Sequence, residues 1–421
     1  MTCVIVGGGV AGFQAATTCR ALWPEQVVTL IDAEKEVGYY RTLLPQFLVG
    51  ALEEEKLFFW RGGDDPHLTV RPGLRVTSLD RGSRSLGLAG GESLSYDRLV
   101  LAHGGDPYLP DILAGPPCRG IFPLRDLTTI RRARSWIADH RKAIVVGGSL
   151  VGVKTAVYLR HAGLDVALVV RRSHPLLRAL SPEAAEVVAS HLKRSGIRLF
   201  ANSPLEDLRI TDGAVSGLKA GGAWIDGDVL FAATGTVPNL SFLEGSGLLT
   251  DGRLLVSPAL QTADPRIFAA GDVAVIAAPE GEPASPNTWP QAVTQGKTAG
   301  ANLYRPTPVP HRDLFWINAM ELHGFPLVVL GPPVEGAEVI AYARPEEGVR
   351  RELFLVGGKP VGGSLVGDIS AAGPLHALIG SGRDIGSGEV ELLKPRTRSV
   401  FRFPEGSGRR QALVFALAQK P

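Results

Sequence analysis

The sequence predicts an α/β protein with two Rossmann-like dinucleotide-binding domains, and three motifs carry that prediction. Two apolar strands each run into a glycine-rich turn, at residues 4–12 and, about 140 residues later, at residues 144–152. A single motif of the kind that closes a flavin site ends at Asp272. One chain that holds two dinucleotides most simply moves a hydride between them, so FAD and a nicotinamide nucleotide are the predicted cofactors.

The composition sets broad limits on the protein class. A chain of 421 residues with 45% apolar and 20% charged residues is expected to form two or three soluble globular domains. A net charge of +2 argues against nucleic-acid binding. Cys3, Cys19 and Cys118 form no metal-binding or Cys-x-x-Cys pattern, and such sparse cysteine use is typical of a reducing cytoplasm. We therefore expect a cytoplasmic protein with no transmembrane segment and no signal peptide.

The first glycine turn, residues 7–12, has glycines at the three spacings of a dinucleotide fingerprint: Gly7, Gly9 and Gly12. The first permits a tight turn, the second lets backbone N–H groups approach a pyrophosphate, and the third lets a helix pack closely on a strand. The positive N-terminal end of the predicted helix that follows would face the phosphates. The next strand ends at Asp32, a carboxylate placed to accept a hydrogen bond from a ribose hydroxyl.

The second glycine turn, residues 147–152, repeats the device with one departure. Gly147 and Gly152 are kept, but Ser149 replaces the middle glycine. Serine adds a Cβ and a hydroxyl facing the phosphate, which is tolerable but tighter. A predicted strand at 143–146 and a predicted helix at 153–161 preserve the strand–turn–helix context.

The strand after the second turn, residues 165–170, ends without an acid. Val170 stands where an acid would hold a ribose 2′-hydroxyl, and Arg171 and Arg172 follow. Adjacent arginines are suited to a 2′-phosphate, which favours NADP(H). A solvated basic turn, with NAD(H) bound without the acid, is an equal alternative. The preference between NAD and NADP stays open.

Further segments carry a resemblance to known flavoproteins. A first crossover segment, at 96–105, resembles an Ala-Thr-Gly motif in which His103 replaces the threonine before Gly104, and a second crossover segment, at 231–239, contains Gly235. A flavin-closing motif at 262–272 contains Gly271 and Asp272. The start of a helix, at 289–296, contains Trp289 and Gln291. In these segments the chain resembles the FAD-dependent pyridine nucleotide–disulfide oxidoreductase superfamily. Within it, the likeness is to rubredoxin and ferredoxin reductases and to the FAD/NAD(P)H part of nitrite reductases. The resemblance implies that Gly104, Gly235, Gly271, Trp289 and Gln291 bind cofactor.

The resemblance also implies a domain arrangement. Residues 1–110 and 235–305 would form an FAD domain, split by an inserted NAD(P) domain at 111–234. Residues 306–421 would form a smaller α/β interface domain. Asp272 would bind a ribityl hydroxyl, and the N-terminus of the helix that follows would lie at the pyrimidine edge of the flavin, stabilising its reduced anion.

One chemical feature of the family's disulfide reductases is missing. They carry a reactive cysteine near the flavin, and in the one-cysteine branch it stands two residues before a Leu-Pro pair. Here Thr42 precedes Leu44-Pro45. Thiol-based reductase activities are therefore disfavoured. The remaining chemistry, hydride transfer between nicotinamide C4 and flavin N5, demands stacked rings rather than protein acids or bases.

Arg41 and Lys154 are the predicted catalytic residues. Residues 39–46 resemble the flavin-facing stretch of the rubredoxin-reductase branch. In that branch an arginine is followed five residues later by a lysine, which pairs with a glutamate from the helix that opens the second fingerprint. Here Gln46 stands in place of that lysine and Lys154 in place of that glutamate. The pair therefore keeps a positive charge, but on the helix that opens the second fingerprint. Our hypothesis is that Lys154 lies near flavin N5 and the nicotinamide and raises the flavin potential electrostatically. The alternative is an ordinary surface lysine.

The electrons need an external partner, because the chain contains no thiol, metal or second redox centre in a suitable pattern. A small iron–sulfur protein, or an iron–sulfur subunit of a complex, is the first choice, with electron flow in either direction, including NAD⁺ reduction. Residues 392–421 hold seven basic residues and one acid, with apolar residues interleaved. This pattern predicts a hairpin around residues 404–408 that would dock an acidic carrier or a partner subunit, or a solvated terminal hairpin that closes the interface domain. Both a homo-oligomer and a hetero-oligomer stay open.

Other functions stay open at this stage. A type II NADH:quinone dehydrogenase at the membrane surface would need a long terminal amphipathic helix, and residues 411–418 are too short for one. A non-catalytic flavoprotein or redox sensor remains open because of Ser149 and the missing acid. An oxygen-reducing oxidase is a further alternative.

Overall fold

A computed structural model describes residues 2–63, 65–115, 118–277, 288–311, 317–385 and 393–394. The strands are β1 Thr2–Val6, β2 Val27–Asp32, β3 Leu68–Pro72, β4 Val76–Asp80, β5 Ser85–Leu88, β6 Ser93–Ser95, β7 Arg98–Leu101, β8 Gly105–Pro107, β9 Ile121–Pro123, β10 Lys142–Val146, β11 Asp165–Val169, β12 Arg198–Phe200, β13 Leu205–Thr211, β14 Ala214–Ala220, β15 Ala223–Asp226, β16 Val229–Ala232, β17 Thr236–Pro238, β18 Leu249–Thr250, β19 Arg253–Val256, β20 Ile267–Ala269, β21 Ala274–Ile276, β22 Ile317–Leu322, β23 Phe325–Leu330, β24 Glu338–Arg344, β25 Val349–Val356 and β26 Lys359–Val366. The α-helices are α1 Val10–Leu22, α2 Leu44–Leu48, α3 Asp111–Ala114, α4 Leu127–Trp136, α5 Leu150–His161, α6 Pro182–Arg194, α7 Trp289–Asn302 and α8 Ala372–Ser381.

The chain divides into two compact units. The first comprises Met1–Tyr108 and Thr236–Asp313, and the second comprises Leu109–Gly235 and Leu314–Pro421. Each unit is therefore built from two separated stretches of chain. The predicted division into three domains stays a prediction.

The core of the first unit is a parallel sheet with strand order β20-β7-β1-β2-β3. Its central strands are continuous apolar runs; Val4, Ile5 and Leu99, for example, have no exposed surface. Strands of this kind are typical of parallel sheets that are covered on both faces. Because the strands are parallel, β1, β2, β7 and β20 all end at the same edge, where the first glycine turn begins.

Helix α7 packs against α1 through two glycines. A Cβ at Gly296 would collide with the carbonyl oxygen of Ala11, and a Cβ at Gly300 would collide with that of Ala15. The absence of side chains at these two positions lets the helix backbones approach closely. The helix that follows the flavin-closing motif is thereby fixed against the helix that follows the first glycine turn.

The second unit contains another parallel sheet, with strand order β12-β11-β10-β16-β9. The second glycine turn joins β10 to α5, which packs against β10 and β11. The predicted strands at 143–146 and 165–170 and the predicted helix at 153–161 lie within or next to β10, β11 and α5. The predicted fold class, α/β with two Rossmann-like sheets, is confirmed.

The same unit also holds an antiparallel sheet with strand order β22-β23-β26-β25-β24, against which α8 packs. Its buried Glu352 carboxylate accepts hydrogen bonds from Ser181 Oγ at 2.7 Å and from Arg350 Nε at 2.6 Å. Ser181 is the N-cap of α6, so a fully buried carboxylate ties that helix to the antiparallel sheet. Removal of one partner from such a buried pair is strongly destabilising.

Two further predictions concern the basic C-terminal segment and the absence of a transmembrane helix. The basic segment 392–421 lies outside the described residues, apart from Leu393 and Lys394. Within the described ranges, no helix has both the length and the apolarity that a membrane crossing requires.

Candidate functional site

The first glycine turn leaves open space at one of its three fingerprint glycines. Gly7 has φ +118°, a conformation that L-residues avoid, and a Cβ there would collide with the carbonyl oxygen of Ala102. A Cβ at Gly12 would collide with the carbonyl oxygen of Gly7, whereas a Cβ at Gly9 would meet nothing within 4 Å. Backbone packing therefore requires Gly7 and Gly12, and the space above Gly9 is what a pyrophosphate would need.

Helix α1 starts at this turn without a side-chain cap. Gly9 is its N-cap residue, and no side chain accepts a hydrogen bond from the first N–H groups. Uncapped N–H groups together with the positive end of the helix dipole favour an anion. The first glycine turn therefore fits the pyrophosphate of FAD.

Asp32 lies at the mouth of the first glycine turn. Its Oδ2 accepts a hydrogen bond from the Gly8 N–H at 2.5 Å, and its Oδ1 accepts one from the Glu34 N–H at 2.6 Å. These bonds fix the carboxylate beside the turn, where a ribose hydroxyl acceptor is expected. Its cofactor-binding role stays a prediction.

The flavin-closing motif and α7 form the other side of the first unit's site. Gly271, at φ +77°, follows β20, and its N–H donates a hydrogen bond to Gln295 Oε1 of α7 at 2.8 Å. This bond holds the loop that carries Asp272 against α7. At the start of that helix, the Thr288 hydroxyl accepts a hydrogen bond from the Gln291 N–H at 3.4 Å.

An aromatic cluster covers the start of α7. The Trp289 ring lies 5.2 Å from that of Tyr40 and 5.9 Å from that of Phe59, measured between centroids. Tyr40 and Phe59 also contact each other edge to face. The segment that the resemblance assigns to the flavin, residues 39–46, is thus packed directly on the helix that follows the closing motif.

Arg41 is held in a compact network that the sequence analysis missed. Its guanidinium donates to Glu34 Oε1 at 2.6 Å and to Tyr39 Oη at 2.7 Å, and Tyr39 Oη donates to Glu34 Oε2 at 2.6 Å. Burial alone would lower the pKa of Arg41, but Tyr39 and Glu34 raise it above its ordinary value. Arg41 is a fixed cation whose catalytic role stays a prediction. Only its short separation from Glu34 and Tyr39 in the sequence could have signalled the network.

Gln46 carries a buried acceptor with no partner. Its side chain is 5% exposed, and its Oε1 makes no hydrogen bond. An unsatisfied buried polar group costs about 1–3 kcal/mol, so such groups often mark a ligand site. Gln46 lies in the segment that the resemblance assigns to the flavin, and its free amide oxygen fits a polar cofactor.

His103 replaces threonine in the first crossover and is kept neutral. Its Nε2 donates to the carbonyl oxygen of Asn239 at 3.0 Å, and its ring packs edge to face on Phe242 at 4.9 Å. Its Nδ1 is buried without a partner. Burial lowers the pKa of His103 to about 4. The imidazole therefore presents an unsatisfied acceptor next to Gly104, which has φ +67°.

The second glycine turn repeats the backbone geometry of the first. Gly147 also has φ +118°, and a Cβ there would collide with the carbonyl oxygen of Ala233. A Cβ at Gly152 would collide with the carbonyl oxygen of Gly147. Ser149 Oγ accepts the Gly152 N–H at 3.3 Å and donates to the carbonyl oxygen of Ala233 at 3.3 Å. The hydroxyl thus bonds within the loop and caps α5, whereas the sequence analysis had it facing the phosphate.

An apolar side chain fills the acid position of the second site. Val170 is 4% exposed, and its Cγ1 would stand 2.7 Å from a Cβ at Gly148. Arg171 and Arg172 are both exposed. The second unit therefore has no carboxylate at the position equivalent to Asp32 and offers two exposed cations, which fits a nicotinamide nucleotide without fixing its 2′ substituent.

Lys154 is largely buried on α5 rather than lying on an open surface. Burial lowers the pKa of Lys154 to about 8, and the Glu321 carboxylate of β22 acts in the opposite direction. Sequence reasoning missed Glu321, because nothing in the local pattern links a strand near residue 320 to the helix at 150–161.

Comparisons with known proteins identify the family. The family model described as pyridine nucleotide-disulphide oxidoreductase matches residues 1–296. The chain is 29% identical over 405 residues to an NADH oxidase of Methanocaldococcus jannaschii, with 90% of each chain covered. It is 27% identical to the ferredoxin–NAD(+) reductase component of a biphenyl dioxygenase system of Paraburkholderia xenovorans, covering 82% of this chain and 85% of the relative.

A solved structure supports the fold. The covalent putidaredoxin reductase–putidaredoxin complex superposes with a TM-score of 0.85 at 22% identity, covering 100% of this chain and 99% of the other. At that identity the likeness shows the fold alone. The predicted resemblance and fold class are both confirmed.

Proposed function

The chain belongs to the pyridine nucleotide-disulphide oxidoreductase family, and from this premise we propose that it exchanges electrons between NAD(P)H and an external iron–sulfur protein. It is an FAD-dependent oxidoreductase that uses a nicotinamide nucleotide, as the sequence predicted. The observation that carries the proposal is the pair of glycine turns in one chain. Each has a backbone shaped for a dinucleotide, and no reactive cysteine stands at position 42.

The cysteines support an exit for electrons that does not use a thiol. Thr42 lies in the short turn Arg41–Leu43, in the segment assigned to the flavin. Cys3 and Cys19 have no exposed surface and belong to the core of the first unit. Buried thiols of this kind are inert. The electrons must therefore leave a bound flavin for an external acceptor.

Two relatives favour two acceptors. The reductase of Paraburkholderia xenovorans serves a ferredoxin in a dioxygenase system, which favours an iron–sulfur carrier. The relative in Methanocaldococcus jannaschii is an NADH oxidase, which makes oxygen reduction the second candidate function. We propose the iron–sulfur carrier first, as the sequence analysis did, in the form of a small protein or a subunit of a complex.

Residues of the first unit would bind FAD, and residues of the second unit would bind the nicotinamide nucleotide. When bound, FAD would supply the chemistry of hydride uptake and single-electron transfer. The open space above Gly9 and the uncapped start of α1 would hold the pyrophosphate of FAD. The Gln46 amide oxygen would accept a hydrogen bond from a polar edge of the cofactor. In the second unit, Gly147 and Gly152 would shape the nicotinamide nucleotide site. Lys154 would stand beside the nicotinamide and raise the flavin potential.

The test uses the purified full-length holoprotein. We expect a yellow protein whose 450 nm band bleaches on mixing with NADH or NADPH in a stopped-flow instrument. The reduced protein should then reduce a [2Fe–2S] ferredoxin or a rubredoxin faster than oxygen or a soluble quinone. Faster reoxidation by oxygen would favour the oxidase, and quinone would favour a type II dehydrogenase. A flavin that neither nucleotide bleaches would overturn the proposal in favour of a redox sensor.

We also propose a cytoplasmic location. All three cysteines are free, including Cys3 and Cys19, whose thiols interact with each other. Free thiols persist in reducing compartments. Fractionation of native cells with detection of the protein by antibody tests this location.

A further inference from the structure

We propose that the edge strand β24 is an interface at which two copies of this chain pair. The antiparallel sheet of the second unit would then continue into the same sheet of a second copy. The two β24 strands would run antiparallel about a two-fold axis at Ala341, perpendicular to the sheet. The inference goes beyond the proposed function and does not depend on it.

Strand β24 forms an exposed edge of its sheet. It stands at the end of the strand order β22-β23-β26-β25-β24, and β25 is the only described strand that pairs with it. Five of its seven residues are exposed, whereas the opposite edge strand β22, which packs against α5, has no exposed residue. An edge strand presents a row of backbone N–H and C=O groups that can pair with another strand. Strand β24 is therefore the edge at which the sheet can be extended.

Strand β24 lacks the features that protect most edges from pairing. Natural edge strands are usually blunted by proline, by lysine, by a bulge or by shortness. All seven residues of β24 pair with β25 without a register shift, and the strand contains neither proline nor lysine. Its charges stand only at its two ends, Glu338 and Arg344, and Val339 is 48% exposed. A regular edge with an apolar middle favours a further strand over solvent.

The sequence of β24 is complementary to itself in the antiparallel direction. A two-fold axis at Ala341 places Glu338 opposite Arg344 of the second copy and Ile340 opposite Tyr342 of the second copy, and symmetry repeats both pairs. These four residues share one face of the strand, because side chains alternate. On that face Ile340 and Tyr342 pack against the core beneath α8. Opposite charges and aromatic–β-branched pairs stabilise a sheet when they stand directly opposite each other.

The other face of β24 fits the same axis. There Val339 would lie opposite Ala343 of the second copy, and Ala341 would lie opposite its own copy. Only small or apolar side chains meet on this face. No charge is left against an apolar partner on either face.

The two charges also select the register. An axis perpendicular to the sheet keeps each face on the same side in both copies, so a slipped register must centre on a neighbouring residue. An axis at Ile340 would place Glu338 opposite Tyr342, and an axis at Tyr342 would place Arg344 opposite Ile340. Either slip separates the opposite charges, so the axis at Ala341 is favoured.

Arg344 is placed to accept a second carboxylate. Its Nη1 donates a hydrogen bond to Glu347 Oε1 at 2.9 Å, and its guanidinium carbon lies 5.7 Å from the centroid of the Tyr342 ring. A guanidinium has five N–H donors, so the bond to Glu347 leaves others available. The contact with Tyr342 keeps the cation on the face where Glu338 of the second copy would stand.

Sedimentation velocity of the full-length holoprotein at several concentrations tests the pairing. Glu338→Arg and Arg344→Glu each reverse one charge, and the double variant exchanges the two charges. Glu25→Arg, in an exposed turn of the first unit, is the control for the change of charge. Flavin absorbance at 450 nm and thermal denaturation show whether each variant is folded.

We expect the wild-type protein to be a dimer. Each single reversal should raise the dissociation constant of the dimer at least ~10-fold, because the two-fold symmetry places like charges opposite each other twice. The double variant should bring the constant back close to the wild-type value, and Glu25→Arg should leave it unchanged. Restoration by a second reversal would separate the loss of pairing from a loss of folding.

A disulfide trap tests the register in a Cys118→Ser background, in which the remaining Cys3 and Cys19 have no exposed surface. Ala341→Cys would place two thiols directly opposite each other, with Cα atoms about 4.5–5.5 Å apart, which a disulfide can span. Ala343→Cys is the matched control, because its two copies would be ~14 Å apart along the strands. Diamide should convert most of the first variant, and little of the second, into a covalent dimer on a non-reducing gel.

Two results would overturn the proposal. The first is a wild-type protein that stays monomeric at every concentration and is not trapped through Ala341→Cys. The second is a dimer that neither charge reversal weakens, since such a dimer forms through another surface. None of these measurements depends on nucleotide oxidation, so failure of this proposal and failure of the proposed function are distinguishable.

Discussion

The two glycine turns share a backbone but differ in how each helix begins. Gly7 and Gly147 have the same φ, +118°, and each is closed by a crossover carbonyl oxygen. Helix α1 begins at Gly9 with no side-chain cap, whereas α5 begins at Ser149, whose hydroxyl accepts the Gly152 N–H. The first N–H groups of α1 therefore need a ligand as their hydrogen-bond acceptor, whereas in α5 the Ser149 hydroxyl supplies an acceptor.

This difference matches the different demands of a resident cofactor and an exchanging substrate. An uncapped helix gains most from a permanently bound pyrophosphate, because the phosphate oxygens replace the missing cap. A self-capped helix is stable with its site empty, so a nucleotide can leave without exposing unsatisfied N–H groups. The acid follows the same division, since Asp32 is fixed beside the first turn and Val170 fills the equivalent place beside the second.

The largest effects are expected from alanine at the first glycine of each turn. Gly7→Ala should abolish FAD binding, because the side chain would collide with the Ala102 carbonyl oxygen in a conformation that L-residues avoid. Gly147→Ala should keep the flavin but raise the KM for the nicotinamide nucleotide at least ~100-fold, equivalent to about 3 kcal/mol. Absorbance at 450 nm and steady-state kinetics measure the two effects. Equal loss of flavin in both variants would contradict the division of labour.

The two crossovers should differ in their response to acid. His103 has a pKa of about 4 in the folded protein, below its ordinary value, so folding favours the neutral ring. Above pH 6.5 the ring is neutral in both states and contributes nothing. As the pH falls below 6.5, the unfolded chain binds a proton that the folded chain does not, and stability falls until about pH 4. At pH 5 the loss is about 2 kcal/mol.

The variant His103→Thr tests this dependence, because Thr234 already occupies the matching position of the second crossover. Flavin fluorescence on urea unfolding should show a smaller drop in stability between pH 7 and pH 5 in the variant than in the wild type. Identical drops in the two proteins would exclude His103 as the source.

The acid position offers a smaller and more specific effect. Val170→Asp should favour NADH over NADPH by about tenfold relative to the wild type, because a carboxylate accepts a hydrogen bond from a 2′-hydroxyl and repels a 2′-phosphate. The ratio of kcat/KM for the two nucleotides measures the change. Arg171→Ala with Arg172→Ala is the companion variant, and it should reduce use of NADPH alone if the arginines bind the 2′-phosphate. An unchanged ratio in Val170→Asp would place the ribose elsewhere.

The smallest effect is expected from restoring the missing glycine. Ser149→Gly removes the cap of α5, at a cost of only a few tenths of a kcal/mol. Because the N–H of Gly152 is then free for a phosphate, the KM for the nucleotide should fall about twofold to threefold. Thermal denaturation and steady-state kinetics measure the two changes together. A raised KM would show that the hydroxyl itself contacts the nucleotide.

Much of this protein follows from sequence patterns alone. The apolar runs that end in glycine turns determine both parallel sheets, because a buried parallel strand followed by a turn without side chains has few other solutions. The same patterns identify Gly7, Gly12, Gly147 and Gly152, whose roles depend on local backbone geometry. The resemblance of the crossovers and the closing motif then predicts the family.

Tertiary structure alone decided the rest. The Glu34–Tyr39–Arg41 network, the inward hydroxyl of Ser149 and the carboxylate of Glu321 depend on side-chain direction or on contacts between segments far apart in the chain. A one-dimensional pattern shows which residues can form strands, helices and turns, because those depend on near neighbours. Which charges meet, and which acceptors are left buried without a partner, is determined only when the packed elements bring distant side chains together.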